Sequence, residues 1–111
     1  MENKKEEEEI ILELGQIIEI EAPENGNIHK KNFIIDYLDN NVIKLLNLDD
    51  YSLLELKLNN KKIIDETIEK IIIKLPHPVE KGYAKQQGLV APKWFSFHFD
   101  DGEGIKEVIK G

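Results

Sequence analysis

The three histidines, His29, His77 and His98, are the first residues that could bind a metal or exchange protons. They lie in three separate segments, whereas a metal site needs several ligands that converge at short spacing. The chain has no cysteine, which excludes thiolate ligands, disulfides and thiol catalysis. The sequence therefore predicts no metal site and no cofactor.

The hydroxyl side chains offer little for nucleophilic catalysis, which needs a serine, threonine or cysteine beside a base. Ser96 and His98 share one face of an expected strand, but simple alternation often produces such a pair. The acidic pairs Asp49–Asp50 and Asp100–Asp101 lie at expected turns, where aspartate is favoured because it bonds to the backbone. We therefore predict no catalytic residues and a protein that is not an enzyme.

One aromatic and basic segment is more informative. Tyr83 lies between Lys81 and Lys85, and the adjacent pair Lys93-Trp94 follows further along the chain. Tyr83 and Trp94 would form a platform for a peptide or for nucleic-acid bases, with the three lysines meeting phosphates. The other interpretation is structural: Tyr83 closes the end of a β-barrel and Trp94 covers its rim.

The charge of the chain argues against nucleic acid as the main partner. The formal net charge is −7, and all 15 basic residues are lysine. An acidic chain repels a polyanion, and without arginine it lacks the side chain that forms bidentate contacts to guanine and phosphate. We expect a protein partner and keep nucleic acid as the alternative, while a homo-oligomer stays open. No stretch is long and apolar enough for a membrane span, and the polar N-terminus is unlike a secretory signal.

The elements that must carry these residues are mostly strands. Apolar and polar residues alternate, or β-branched and aromatic residues cluster, over seven segments: 16–22, 32–38, 42–48, 52–58, 70–75, 93–99 and 105–110. Turn signals separate several of them, for example Asp39-Asn40-Asn41. The phenylalanine face of the segment 93–99 is expected in the core. This pattern predicts an all-β small barrel or sandwich of six or seven strands, for which an SH3-like or Tudor-like barrel is one form.

Two short helical turns are expected between the strands. Asp65 is a good N-cap for a turn over 65–69, before the β-branched run Ile71–Ile73 that favours a strand. The alternative is one longer helix, since apolar residues from Ile64 to Leu75 also recur at helical spacing. The second turn is expected over 80–87, with Gly88 providing a left-handed exit.

The order of several motifs resembles a family of uncharacterised proteins from large nucleocytoplasmic DNA viruses related to mimiviruses. The motifs are LGQIIEI (14–20), FIIDYLD (33–39), EKGYAKQQGL (80–89), Trp94 and FHF (97–99). GYAKQ (82–86) is the most specific, although the family has arginine where this chain has Lys85. The resemblance covers residues 14–111 and implies the N-terminal domain of a longer viral protein, located in the host cytoplasm (the viral factory) or the virion. It implies no activity.

The domain organisation follows from the charge pattern. Residues 1–9 form an acidic run with nothing to bury, which predicts a disordered tail. Residues 10–111 are expected to form a single β domain, excised from a longer protein. The function expected from these observations is a non-enzymatic protein-interaction or assembly module of a larger viral protein, and the alternative is a nucleic-acid-binding small β-barrel.

Overall fold

The computed structural model describes residues 9–22, 29–75 and 86–111, which form ten β-strands. In chain order they are β1 (Glu9–Glu13), β2 (Ile17–Glu21), β3 (Lys31–Leu38), β4 (Val42–Asn47), β5 (Leu53–Asn59), β6 (Lys62–Ile63), β7 (Lys70–Lys74), β8 (Gln86–Val90), β9 (Ser96–Asp100) and β10 (Ile105–Lys110). Within these ranges no helix is long and apolar enough to cross a membrane.

The strands form one open sheet in the order β1-β8-β6-β5-β4-β3-β2-β7-β9-β10. Neighbouring strands are antiparallel except for β6–β8 and β7–β9, which are parallel. Local hairpins build the run from β2 to β5. Pairs between segments far apart in sequence complete the sheet, above all β1 with β8 and β2 with β7.

A single hydrophobic core lies on one face of this sheet. It takes alternate residues from the strands, for example Ile18 and Ile20 in β2 and Leu56 and Leu58 in β5. The rings of Phe95 and Phe97 meet edge to face within it, 4.8 Å between centroids. Because residues from β1 through β10 join one cluster, the sheet must coil around its inner face.

The all-β prediction is thus confirmed, but the expected count of six or seven strands is wrong. The additional strands are β1, β6 and β8. Each depends on a partner distant in sequence or is very short, so its own pattern gives little signal. The predicted tail lies outside the described residues except for Glu9, which begins β1.

The expected helical turns are a second correction. At 65–69 the chain makes an isolated turn, in which the Ile68 amide donates to the Asp65 carbonyl at 3.2 Å. The Asp65 side chain accepts from the amide and hydroxyl of Thr67, so it caps a turn rather than a helix. The strand expected after it is β7. In the second region, residues 80–85 lie outside the described part, and 86–88 belong to β8.

Gly88 therefore has a role other than the one expected. It lies inside β8, opposite Ile11 of β1, and a Cβ atom at this position would collide with the side chain of Glu9. The glycine leaves room for the Glu9 side chain to lie over β8. A left-handed helix exit is not what it provides.

Candidate interaction surface

The outward face of the sheet carries a row of aliphatic side chains where water would be expected to favour polar ones. Ile17 of β2 pairs with Ile34 of β3, and Ile34 pairs with Leu46 of β4. Leu46 in turn pairs with Leu53 of β5. We call these four residues the aliphatic row.

The opposite orientation of the next residues shows that the row faces outward. Ile18, Ile35 and Leu45 each follow or precede a row member and are at most 1% exposed in the core. Because successive strand residues point to opposite faces, the row must lie on the other side. Ile17, Ile34 and Leu46 are half-buried, and Leu53 is 61% exposed. At about 4.8 Å between strands, the row is about 14 Å long.

The β4–β5 hairpin extends this apolar surface at one end. Leu48 and Tyr51 lie in its loop, and Tyr51 is 72% exposed. Tyr51 also has a φ of 62°, in the left-handed region that non-glycine residues seldom occupy. The loop therefore exposes an aromatic side chain from an unfavourable backbone conformation.

Hydrogen bonds hold this hairpin loop in place. The Oδ1 atom of Asn47 accepts from the Asp49 amide at 2.7 Å, and the Asn47 carbonyl accepts from the Tyr51 amide at 2.8 Å. Asp50 Oδ1 accepts from the hydroxyl and then the amide of Ser52, and these bonds lower the pKa of the Asp50 carboxyl. The loop is thus preorganised, with no further ordering needed to present Leu48 and Tyr51.

Charges of both signs border the aliphatic row. Lys44 lies 3.9 Å from Glu55, on the same outer face and one row away from Leu46 and Leu53. The Lys44 ammonium also lies 5.4 Å from the centre of the Tyr37 ring, within range of a cation–π contact.

Lys74 closes the row at its other end and connects three strands. It donates to Glu19 at 3.0 Å and to Asp100 at 3.4 Å. Burial alone would lower the pKa of the Lys74 ammonium, but these two carboxylates outweigh it and raise the pKa. The Asp100 carboxyl has a lowered pKa because the Gly102 amide, and then Lys74, donate to it.

His98 lies on the outer face of β9, between Ile72 of β7 and Glu107 of β10. Its Nδ1 atom is buried and has no hydrogen-bond partner. Burial, followed by the positive charge of Lys70, lowers the pKa of His98, against the smaller opposing effects of Glu107 and Glu21. Ser96 is therefore not activated through this nitrogen. Over the three described ranges, no group of three or more acidic or histidine side chains could hold a metal ion.

Only part of the predicted aromatic and basic patch lies within the described residues. Lys93 and Trp94 are both exposed in the connection between β8 and β9, with Trp94 at 40%. Lys81, Tyr83 and Lys85 lie outside the described residues. The neighbouring Phe95 is 1% exposed, so two adjacent aromatic side chains differ: Trp94 is exposed and Phe95 lies in the core.

The sequence contained a signal for the aliphatic row that alternation alone does not use. Adjacent apolar pairs occur in all four strands of the row, among them Ile17-Ile18, Ile34-Ile35, Leu45-Leu46 and Leu53-Leu54. In a strand, each pair must place one member on each face. Each pair predicts one outward aliphatic residue, but only the strand register shows that the four outward residues are adjacent.

Comparison with known proteins adds no relative to this description. No family model matches the chain, and no curated protein or solved structure is significantly similar to it.

Proposed function

We propose that this domain is a non-enzymatic protein-interaction or assembly module. The observation that carries the proposal is the aliphatic row, continued by Leu48 and Tyr51 of the β4–β5 hairpin. Single exposed apolar residues are ordinary on a protein surface, whereas a contiguous group is typical of a binding face. A rigid loop that already presents an aromatic side chain lowers the entropy cost of binding.

The arrangement of polar residues supports the non-enzymatic part of the proposal. Lys74 bridges Glu19 and Asp100, and Asp65 and Asp50 bond to their own turns. These groups make structural contacts with one another or with their own turns, and such contacts do not by themselves make a catalytic site.

A pull-down from infected-cell lysate with matched variants tests this proposal. The wild-type protein, Leu53→Lys and Ile64→Lys serve as baits, with and without nuclease, and mass spectrometry identifies the proteins retained. Leu53 belongs to the aliphatic row, whereas Ile64 is 46% exposed elsewhere, between β6 and β7. We expect nuclease-resistant partners that Leu53→Lys loses and Ile64→Lys keeps. Identical sets of retained proteins for both variants would contradict an interaction role for this face.

Nucleic-acid binding is a second candidate because Trp94 and Lys93 are exposed side by side. An aromatic ring can stack on a base while a lysine meets a phosphate. The formal net charge of −7 opposes this function. A titration of Trp94 fluorescence with single-stranded DNA and RNA at low salt tests it, since Trp94 is the only tryptophan. Quenching that disappears in Lys93→Gln would support nucleic-acid binding, and unchanged fluorescence would reject it.

We further propose that the domain belongs to a larger protein of a mimivirus-like giant virus, in the viral factory of the host cytoplasm or in the virion. The support is the resemblance of the five sequence motifs from LGQIIEI (14–20) to FHF (97–99). Mass spectrometry of purified virions and infected-cell fractions would locate the protein. Peptides from this sequence in neither sample would contradict the proposal.

A further inference from the structure

We infer that the aliphatic row is a self-association face, which binds the same row of a second copy of this chain. The inference rests on the proposed interaction function and names the partner. A symmetric pair of sheets packed outer face to outer face would cover Ile34 and Leu46 at the centre, with Leu53 and Tyr51 toward the edge.

The apolar geometry suits a second sheet. The row consists of branched aliphatic side chains on four adjacent strands, with no charged side chain among them. Two twisted sheets pack face to face when such side chains interdigitate across about 10 Å. A groove for a single peptide or helix would need raised walls, whereas the row is a continuation of the sheet surface.

The charges around the row also favour a second copy over a strongly charged partner. Three lysines on this side of the molecule lie within 4.0 Å of carboxylates: Lys44 of Glu55, Lys74 of Glu19 and Lys70 of Glu21. A border with both signs is complementary to itself when a two-fold axis repeats it. It offers no net attraction to nucleic acid or to an anionic membrane. Two copies of a −7 chain can therefore approach here without concentrating like charge.

The size of the face predicts a weak dimer. Four strands are about 19 Å wide, and the rows from Glu55 to Tyr51 extend about 15 Å along them, or about 300 Å² in projection. Stable interfaces bury about 800 Å² of accessible surface per partner, so this face belongs to the transient class. We expect weak association, with a dissociation constant within about 1 to 300 µM.

Sedimentation velocity of the full chain tests the inference directly. Samples span about 1 to 300 µM, a range that brackets the expected constant. The wild type is expected to change from monomer to dimer across this range. Leu53→Lys and Ile34→Thr are expected to weaken the dimer at least tenfold, while Ile64→Lys leaves it unchanged. Far-UV circular dichroism and a thermal melt check that each variant folds.

Two further controls separate this face from other modes of association. Ile11→Lys changes an exposed residue of β1, at one end of the strand order, and is expected to leave the dimer intact. Added salt should change the dissociation constant little, because an apolar contact is not screened and the border carries charges of both signs. A monomer at every concentration, or a dimer that Ile11→Lys abolishes and Leu53→Lys does not, would overturn the inference.

The failure of this inference is distinguishable from failure of the proposed function. A monomeric wild type whose lysate partners depend on Leu53 would reject the second copy and retain the interaction module. A monomeric wild type whose lysate partners ignore Leu53 would reject both.

Discussion

At the scale of single residues, Tyr51 is the clearest case of a costly backbone conformation that side-chain burial does not offset. Its φ of 62° is costly for a residue with a Cβ atom, by about 1 kcal/mol. Its side chain is 72% exposed and so recovers little of that cost through burial. Strain that the fold itself does not require is a reason to examine a residue for function.

Replacing Tyr51 should therefore stabilise the protein. Asparagine tolerates the left-handed region, so Tyr51→Asn is expected to raise the free energy of unfolding by about 0.5 to 1 kcal/mol. Urea denaturation followed by circular dichroism measures the change. Tyr51→Phe keeps the same backbone strain and is the matched control, with no gain expected. A loss of stability in Tyr51→Asn would mean that the ring contributes packing that outweighs the strain.

The lowered pKa of His98 predicts that the stability of the protein depends on pH. This lowered pKa means that the folded state binds the proton of His98 less readily than the unfolded state, whose histidine pKa is about 6.5. His98 therefore costs no stability above about pH 6.5, and the free energy of unfolding declines as the pH falls below that value. Asp50 and Asp100, with lowered pKa values, act in a separate window below about pH 4.

The measurement is the urea midpoint of wild type and His98→Gln between about pH 7.5 and about pH 5.5. The wild type should lose stability across this interval, and His98→Gln should lose less, because glutamine does not titrate. Equal slopes for the two proteins would show that another group is responsible.

At the scale of elements, Lys74 connects β7 to β2 and β9 through its two carboxylate partners. Lys74→Met leaves Glu19 and Asp100 without their cation, at side-chain exposures of only 20% and 27%. We expect a loss of about 1 kcal/mol in the free energy of unfolding, after allowance for solvent screening. Lys57→Met, at an exposed position of β5, makes the same change in net charge and should have almost no effect. Equal losses in the two variants would attribute the effect to net charge alone.

β7, whose partners are distant in sequence, was predictable from its β-branched run. The other predictable strands end in local turns. Asp39 shows why, since its Oδ1 accepts from the amides of Asn41 and Val42 and fixes the β3–β4 hairpin within a few residues. By contrast, β1 and β8 are about 80 residues apart, and neither has a local partner. Gly88 was misleading because a glycine that admits a neighbouring side chain looks, in sequence, like one that ends a helix.

The candidate surface was hidden by register and by one bulge. Strict alternation places Tyr37 with Phe33 and Ile35 on the core face. A register shift between Ile35 and Tyr37 instead leaves Tyr37 41% exposed and buries Leu38 completely. The apolar pairs that contain Ile17, Ile34, Leu46 and Leu53 were visible in sequence. Their alignment into one row depends on three strand pairings, which no single segment specifies.

At the scale of the whole molecule, the order of the strands predicts an uneven distribution of stability. Ile71, Ile72 and Ile73 of β7 are all at most 1% exposed, and β7 pairs on both sides. β10 pairs only with β9 among the described strands, and most of its residues are exposed. Hydrogen exchange followed by NMR should therefore show the slowest amides in β7 and the fastest strand amides in β10. Equal protection in β7 and β10 would contradict this gradient.

The two ends of the strand order also bear on how far any assembly can grow. β1 carries Glu9 and Glu13, and β10 carries Lys106 and Lys110 together with a bulge at Val108. Charges and a bulge make a strand edge a poor template for another chain. Fibres that lengthen by edge-to-edge strand addition are therefore disfavoured, and contact through the outer face, which is used up once two copies meet, gives particles of fixed stoichiometry.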